Sequence, residues 1–358
     1  MRTPFSAPVP VRSLSQRAVP DDADPQAVPG LPRFTAGMVR AAGDLIAPRA
    51  KGAGRLCILS YHRILAVPDP LIDSDPDLDT FRWHMRLLAE CFNVLPLHDA
   101  VEMIQTERMP PRAVAITFDD GYRSFYDLAL PVLAEYELAS TVFVTTGHMH
   151  DKSSMWNDMI LEAVRRLPPV PLDVRMLDLP GGLQELPMRT YEDRRRAAVL
   201  LTERCKYMAP HERAAFTANL ERLADIPLKE DLMLSPDMLR TMRQHQVEIG
   251  GHTVSHPILT KIGDEDARRE IVDNKRELEA IIGEPLRMFA YPNGKRRADY
   301  TQAHVQMLQD AGYTAAFNTE AGAATRLHPR FELPRARPWD ATPGMFAARL
   351  LRWLAGVV

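Results

Sequence analysis

Cysteine is scarce in this chain. Cys57, Cys91 and Cys205 are the only three in 358 residues. Odd in number and far apart, they argue against a disulfide framework and against a cysteine-type zinc site, and they read as plain thiols. Long apolar runs are missing as well. No segment approaches the roughly 18–20 apolar residues that a membrane-spanning helix needs. Charge of one sign is not in excess: 44 Lys and Arg against 47 Asp and Glu leave a formal charge of −3. That balance offers no electrostatic footprint for nucleic acid. The N-terminal stretch is rich in proline and charge but has no apolar centre of the signal-peptide kind. Residues 1–35 are therefore expected to form a disordered leader. With no export signal legible, the chain is expected in the cytoplasm or at the cytoplasmic face of the membrane.

What is present is enough apolar sequence, 46% of residues, to bury a real core. "RLCILSYHRI" (Arg55–Ile64) reads as a buried strand ending in polar residues. "DTFRWHMRLLAECF" has helical spacing at Phe81, Met85, Leu88 and Phe92. A short strand and helix follow in "NVLPLHDAVEMIQ", then the strand "AVAITF", the helix "SFYDLALPVLAEYEL" and the strand "ASTVFVTTG". This order predicts parallel strands with crossover helices. Residues 152–235 break the rhythm with charge, helical spacing and prolines, and are expected to be a helical insertion without strands. The alternation then resumes through "VEIGGHT", the long helix "DEDARREIVDNKRELEAIIG", "RMFAYPNG" and "TAAFNT". An α/β chain of this kind, with one domain over residues 50–345, fits a (β/α) barrel, whose chemistry sits at the C-terminal ends of the strands. Residues 343–358 form an apolar tail with two arginines, a packed amphipathic helix or a surface that touches a membrane.

Three polar clusters fall at such strand ends. In "AVAITFDDGYRSF" the strand runs into Asp119 and Asp120. Two adjacent carboxylates repel each other and resist burial, and a bound cation is the simplest offset. In "GGHTVSHP", His252 and His256 stand four apart, so both imidazoles can reach one point; two hydrogen-bonded loop histidines are the bland alternative. The third cluster is the Pro-Asn-Gly turn of "RMFAYPNGKR". One Asp and two His make three ligands and leave a place for water, the mark of a catalytic divalent site, while the second Asp is free to act as a base.

In this order, "TFDDGY", "HTVSH" and "FAYPNG" resemble the first three motifs of the NodB-homology polysaccharide deacetylases, carbohydrate esterase family four. "ILSYHRI", "FRWHMRLLAE", "VEIGGHTVSHPILTKI" and "REIVDNKRELEAIIGEP" are similar to the exopolysaccharide-associated branch, and the likeness runs from about Arg55 to Asp340. The resemblance implies a distorted (β/α) barrel of the NodB type and a divalent metal, usually zinc. It puts Asp120, His252 and His256 on the metal and makes Asp119 the general base. It gives the oxyanion a backbone N–H at Asn293, and gives Thr253 and Ser255 a part in orienting the imidazoles or the substrate, unless they only bond within the turn.

Two departures stand out. Many members of the family carry an arginine after the phenylalanine of the third motif; here Ala290 stands there and Arg287 lies three residues earlier. The family's last motif supplies a histidine as general acid at a strand end. Here "RLHPRFELPRARPWD" offers His328 ahead of the strand instead, with Arg335 and Asp340 as residues that could line the site. Tyr61, His62, Trp156 and Tyr291 are further candidates for contact with substrate or with the catalytic groups, Trp156 by stacking on a sugar ring. The expected function is metal-dependent hydrolytic removal of acetyl groups from N-acetyl sugars in a bacterial polysaccharide or its lipid-linked precursor, with the acetylated glycan as partner. A different amide hydrolase or O-acetyl esterase on the same site, and a catalytically inactive glycan-binding module, are the rivals.

Overall fold

Strand-forming and helix-forming sequence alternate along the chain, and the computed structural model rolls that alternation into a barrel. It describes residues 33–46, 54–106, 108–150, 154–177, 184–224, 231–338 and 340–357. Helix α1 (Arg33–Ile46) precedes β1 (Leu56–Tyr61), α2 (Leu78–Cys91), β2 (Asn93–Val94), α3 (Leu97–Gln105) and β3 (Ala113–Phe118). A π-turn over Phe125–Ala129 leads into α4 (Leu130–Glu135), and β4 (Ser140–Val144) follows. The insertion holds α5 (Trp156–Arg166), β5 (Leu172–Asp173), β6 (Glu185–Leu186), α6 (Tyr191–Lys206) and α7 (Pro210–Ala224). The barrel resumes with α8 (Pro236–Met242), β7 (Val247–Gly251), α9 (Asp264–Ile282), β8 (Met288–Ala290), α10 (Gln302–Asp310), β9 (Ala315–Phe317) and β10 (Ala323–Ala324). It ends in α11 (Pro343–Leu354).

Parallel neighbours run β1–β3–β4–β7–β8–β9, with β2 beside the start of β3 and β10 antiparallel to the start of β1. The two edges of this curled sheet meet through one extended segment. Leu333 exchanges hydrogen bonds with Ala316 and Asn318 on the β9 side, and Ala336 with Ile58 and Ser60 on the β1 side. Pro334 has no N–H to give, so the seam consists of isolated bridges, not a ladder. The strand expected over "RFELPRAR" is this seam.

Side chains alternate across the wall with period two. Ile58, Ala115, Phe143, Ala290 and Phe317 belong to one buried cluster that fills the barrel, and α3 closes its lower end with Leu97, Val101 and Ile104. Leu59, Ile116, Val142 and Phe289 face the other way, into the layer shared with the helices. Inside the barrel, alanines such as Ala115 and Ala290 make room for the rings of Phe143 and Phe317. The insertion has its own core, with Ile160 and Val164 of α5, Leu201 and Cys205 of α6, and Phe216 and Leu220 of α7. It also contains strands the sequence did not announce, the antiparallel pair β5–β6, each only two residues long.

At the chain ends one expectation changes and one of two alternatives is seen. Helix α1 begins at Arg33, inside the range read as leader; the rest of that range lies outside the described residues. The C-terminal tail forms the packed amphipathic helix: Phe346, Leu350, Trp353 and Leu354 of α11 are buried, and the helix packs on α1, α2 and β1. No described helix is long and apolar enough to cross a membrane.

Candidate catalytic and metal site

The clusters converge as the barrel geometry requires. His62 follows β1, Asp119 and Asp120 follow β3, His252 follows β7, and the turn carrying Asn293 follows β8, all at C-terminal strand ends. The backbone there is strained. Of the eight described non-glycine residues with positive φ, four are Asp120 (71°), Thr253 (68°), His256 (53°) and Asn293 (60°). Left-handed geometry at such residues persists where the surroundings over-determine it, and it gathers at functional sites. Gly121 shows why a glycine follows the two acids: its φ is 84°, and a Cβ would stand 3.0 Å from Val144.

Asp119 is buried and fully engaged. Arg335 donates from Nη1 to Oδ1 at 2.7 Å and from Nη2 to Oδ2 at 2.7 Å, and Ser60 Oγ donates to Oδ2 at 3.2 Å. Arg335 is itself buried, bonded to Thr117 Oγ1 and the Asn318 carbonyl, with its guanidinium carbon 5.2 Å from the Phe143 ring centre. Burial alone would raise the Asp119 carboxyl; the Arg335 charge outweighs it and holds the group below the usual carboxylate range, as an anion. The residue that steadies this aspartate therefore comes from the seam. Arg287 sits elsewhere, bonded to His98 Nε2 at 2.8 Å, and Ala290 lies inside the barrel as a small packing residue.

Asp120 Oδ1 is buried without a hydrogen-bond partner. Yet His252 Nε2 is 3.3 Å from it and His256 Nε2 is 3.4 Å from it. Three donors held at about 2.1 Å from one tetrahedral ion stand about 3.4 Å apart, so the orphaned oxygen and the two imidazoles fit a zinc-type ion. His252 Nδ1 donates to the Ala290 carbonyl at 2.7 Å, which fixes the tautomer that turns Nε2 inward. Burial pushes His256 down to about 3, so its ring is neutral and ready to ligate. Burial also opposes charge on His252 and Asp120, but their mutual contact prevails: His252 is raised and the Asp120 carboxyl is held well below its ordinary range. The histidine pair converges through a turn with two left-handed residues, not along a helix.

A cleft of about 310 Å³ opens onto Asp120. His62, Tyr122 and Arg337 line it from the barrel, and Asn157 of α5 with Val199 and Thr202 of α6 from the insertion. Arg337 Nη2 lies 3.0 and 2.8 Å from the two nitrogens of His62. Burial and this guanidinium lower the His62 pKa, while Asp120 and Asp119 pull the other way.

Other expected site residues lie elsewhere. Tyr61 and Tyr291 belong to the outward-facing set: Tyr61 Oη meets His84 Nδ1 at 3.2 Å, and Tyr291 stacks on Tyr300 and donates to the Phe331 carbonyl. Trp156 is partly buried against the insertion's own core with Arg213 over its ring, the position of an anchor for the insertion. His328 accepts from the Thr325 N–H at 3.1 Å, near the start of the strands, where Arg330 bonds Thr314 and Ala316; it is at the wrong end of the barrel for a general acid. Asp340 binds Arg349 of α11 at 2.7 and 2.8 Å. Thr253 and Ser255 bond within the turn and to Glu270, as ordinary turn residues do.

The comparisons agree with this geometry. The family model described as "Polysaccharide deacetylase" matches residues 106–169 and 190–316, and its break falls in the insertion. The Bacillus subtilis (strain 168) protein YxkH, named a polysaccharide deacetylase, is 22% identical over 301 residues, 81% of this chain and 73% of that protein. A poly-beta-1,6-N-acetyl-D-glucosamine N-deacetylase of Staphylococcus aureus (strain MSSA476) is 38% identical over 53 residues, 15% of this chain and 18% of that protein. The Streptococcus pyogenes deacetylase PplD, solved with acetate, superposes with a TM-score of 0.55 at 19% identity, covering 84% of this chain and 98% of its own, and so shares the fold. Two paired aspartates and two histidines at the ends of NodB-type strands, inside a family match that spans more than half the chain, lead to one conclusion: this protein belongs to the polysaccharide deacetylase family.

Proposed function

We propose that the chain hydrolyses the acetamide of N-acetylated sugar units in a polysaccharide, using Asp119 as base beside a metal held by Asp120, His252 and His256. One observation carries this reading: a carboxylate kept anionic by Arg335 is the direct neighbour of an orphaned carboxylate oxygen that two imidazoles face. Two nitrogens and one oxygen are a zinc-type donor set. An ion held by Asp120, His252 and His256 would supply Lewis acidity to the acetamide carbonyl and to the attacking water. Asp119 takes the proton from that water, and Arg335 keeps the carboxylate from turning away. The Asn293 N–H, on its left-handed turn, stabilises the oxyanion.

His62 is the one imidazole that lines the cleft beside Asp120, among the described residues, and we assign it to protonate the departing nitrogen. Negative charge growing in the adduct opposes Arg337 and raises the ring's proton affinity in the step that needs it. The short match to a poly-N-acetylglucosamine deacetylase supports an N-acetyl sugar as substrate.

The test is acetate release from N-acetylglucosamine oligomers together with metal content. Wild type should release acetate and carry about one divalent ion per chain. Asp119→Asn should keep the ion and lose turnover, His62→Ala should keep the ion and lose turnover about 10²–10⁴-fold, and His252→Ala should lose both. Metal binding without acetate release from any N-acetylated glycan would remove the substrate assignment.

A further inference from the structure

The long helix α9 carries an asparagine on its apolar stripe. Its buried positions are Ala267, Ile271, Asn274 and Leu278, and Asn274 has no exposed surface at all. An asparagine in a helix interior is a poor helix former, and burying its amide is costly unless every group is bonded. Here every group is. Asn274 Oδ1 accepts the His252 N–H at 3.1 Å; Nδ2 donates to the Thr253 carbonyl at 2.7 Å and to the Val144 carbonyl at 3.0 Å. One turn earlier, Glu270 Oε2 accepts the N–H groups of Val254 and Ser255, both at 2.8 Å, and Oε1 accepts Ser255 Oγ at 2.6 Å.

Four consecutive residues, 252 to 255, are thus gripped by two side chains of one helix face. The segment they grip is the one that bends through left-handed Thr253 and His256 to bring two imidazoles to Asp120. The strand before it is shaped to admit the grip. A Cβ on Gly251 would stand 2.8 Å from Asn274 Oδ1 and 2.3 Å from Tyr313 Oη, so glycine is required for the amide to reach the chain. Apart from this grip the turn has two internal bonds, Thr253 Oγ1 to the His252 carbonyl and the His256 N–H to Thr253 Oγ1, and one from the β4 side, the Gly147 N–H to the Val254 carbonyl at 2.8 Å.

We propose that Asn274 and Glu270 are positioning residues that hold the histidine turn in its ligating geometry, so that metal affinity, and not only fold stability, depends on a helix that touches neither metal nor substrate. The inference rests on reading Asp120, His252 and His256 as a metal site. Outer partners of ligands typically set about 10–100-fold in metal affinity.

The experiment measures Co²⁺ binding to the full chain by chelator competition and by its visible spectrum, with the melting temperature of the metal-free protein recorded alongside. Asn274→Asp keeps the acceptor for His252 but turns an oxygen toward two carbonyls. Glu270→Ala removes three acceptor bonds from a half-buried position, and Glu270→Gln restores acceptors for the two N–H groups. Asn274→Asp and Glu270→Ala should each weaken Co²⁺ about 10–100-fold and change its spectrum, and Glu270→Gln should recover most of the loss. Wild-type affinity and spectrum in Asn274→Asp and Glu270→Ala, with only the melting temperature lowered, would overturn the proposal and leave the metal site intact. No Co²⁺ binding by wild type would overturn the metal-site reading together with it. If Asn274→Asp fails to fold, the Glu270 pair decides alone.

Discussion

Asp119 and Arg335 are a buried ion pair, with side chains 4% and 0% exposed. Two charges out of water add little net stability as a pair, but removing one partner strands the other and costs about 3–5 kcal/mol. Arg335→Met should therefore lower the unfolding free energy by about that amount in a urea titration, and it should abolish acetate release because Asp119 is no longer held. Arg335→Lys returns the charge without the planar fork that meets both oxygens, so it should recover stability more than turnover. Equal recovery of both would show that charge alone, not the bidentate hold, is what the site uses. Arg335 was read from the sequence as a residue that could line the site, but not as the partner of Asp119. Asp119, Asp120, His252 and His256 were legible because each pair is local. The partner of Asp119 comes from a seam 216 residues away, after a proline that breaks the strand pattern. Tyr61 and Tyr291 were misread for a simpler reason. Neighbours on a strand point to opposite faces, so Ser60 reaches Asp119 and Tyr61 cannot.

Among elements, α5 does the work of joining insertion to barrel. Its Asp158 is buried, accepts from Tyr122 Oη at 2.9 Å and pairs with Arg63 at 3.1 Å, while Arg63 also reaches Asp75. Tyr122 follows Gly121 directly, so this contact ties the insertion to the metal loop. Burial pushes the Asp158 carboxyl up to about 6, against the pull of Arg63 and Tyr122. The sign follows from proton linkage. Between the unfolded value of 3.8 and about 6, the folded state holds a proton that the unfolded chain has lost. The contribution of Asp158 to stability should fall as pH rises through that window and then level off, by on the order of 3 kcal/mol. The lowered carboxyls Asp119 and Asp120 act in the opposite sense below that window, and the buried imidazoles of His84 and His256, pushed down to about 3, act in the opposite sense within it. In metal-free protein, measured by urea unfolding at several pH values, the stability of wild type relative to Asp158→Asn should fall between pH 4 and 6 by that amount. A difference that does not change with pH would place the titration elsewhere. The clamp on α9 belongs to the same scale: Asn274 was visible in the sequence as a polar residue on an apolar stripe, but only packing shows what it grips.

For the whole molecule the question is whether the ion builds the fold or only uses it. The barrel interior and the layer between wall and helices are apolar clusters that do not include the metal residues. Barrel order was readable from the β/α alternation for that reason, since it follows from where apolar residues recur. The closure was not, because it depends on two bridges around Pro334. A fold held this way should survive loss of the ion. Chelator-treated protein should keep its circular dichroism spectrum and lose acetate release, and added Zn²⁺ should restore activity. What the ion contributes is the stabilisation of any ligand that binds only the folded state, about 2.7 kcal/mol at a free concentration 100 times Kd, growing with the logarithm of concentration. A melting temperature that climbs steadily with free Zn²⁺, in wild type but not in His252→Ala, is the expected result. Unfolding on chelation would instead make the ion a structural element, and the left-handed turns at Asp120 and His256 would then be conformations that the ion imposes on the chain.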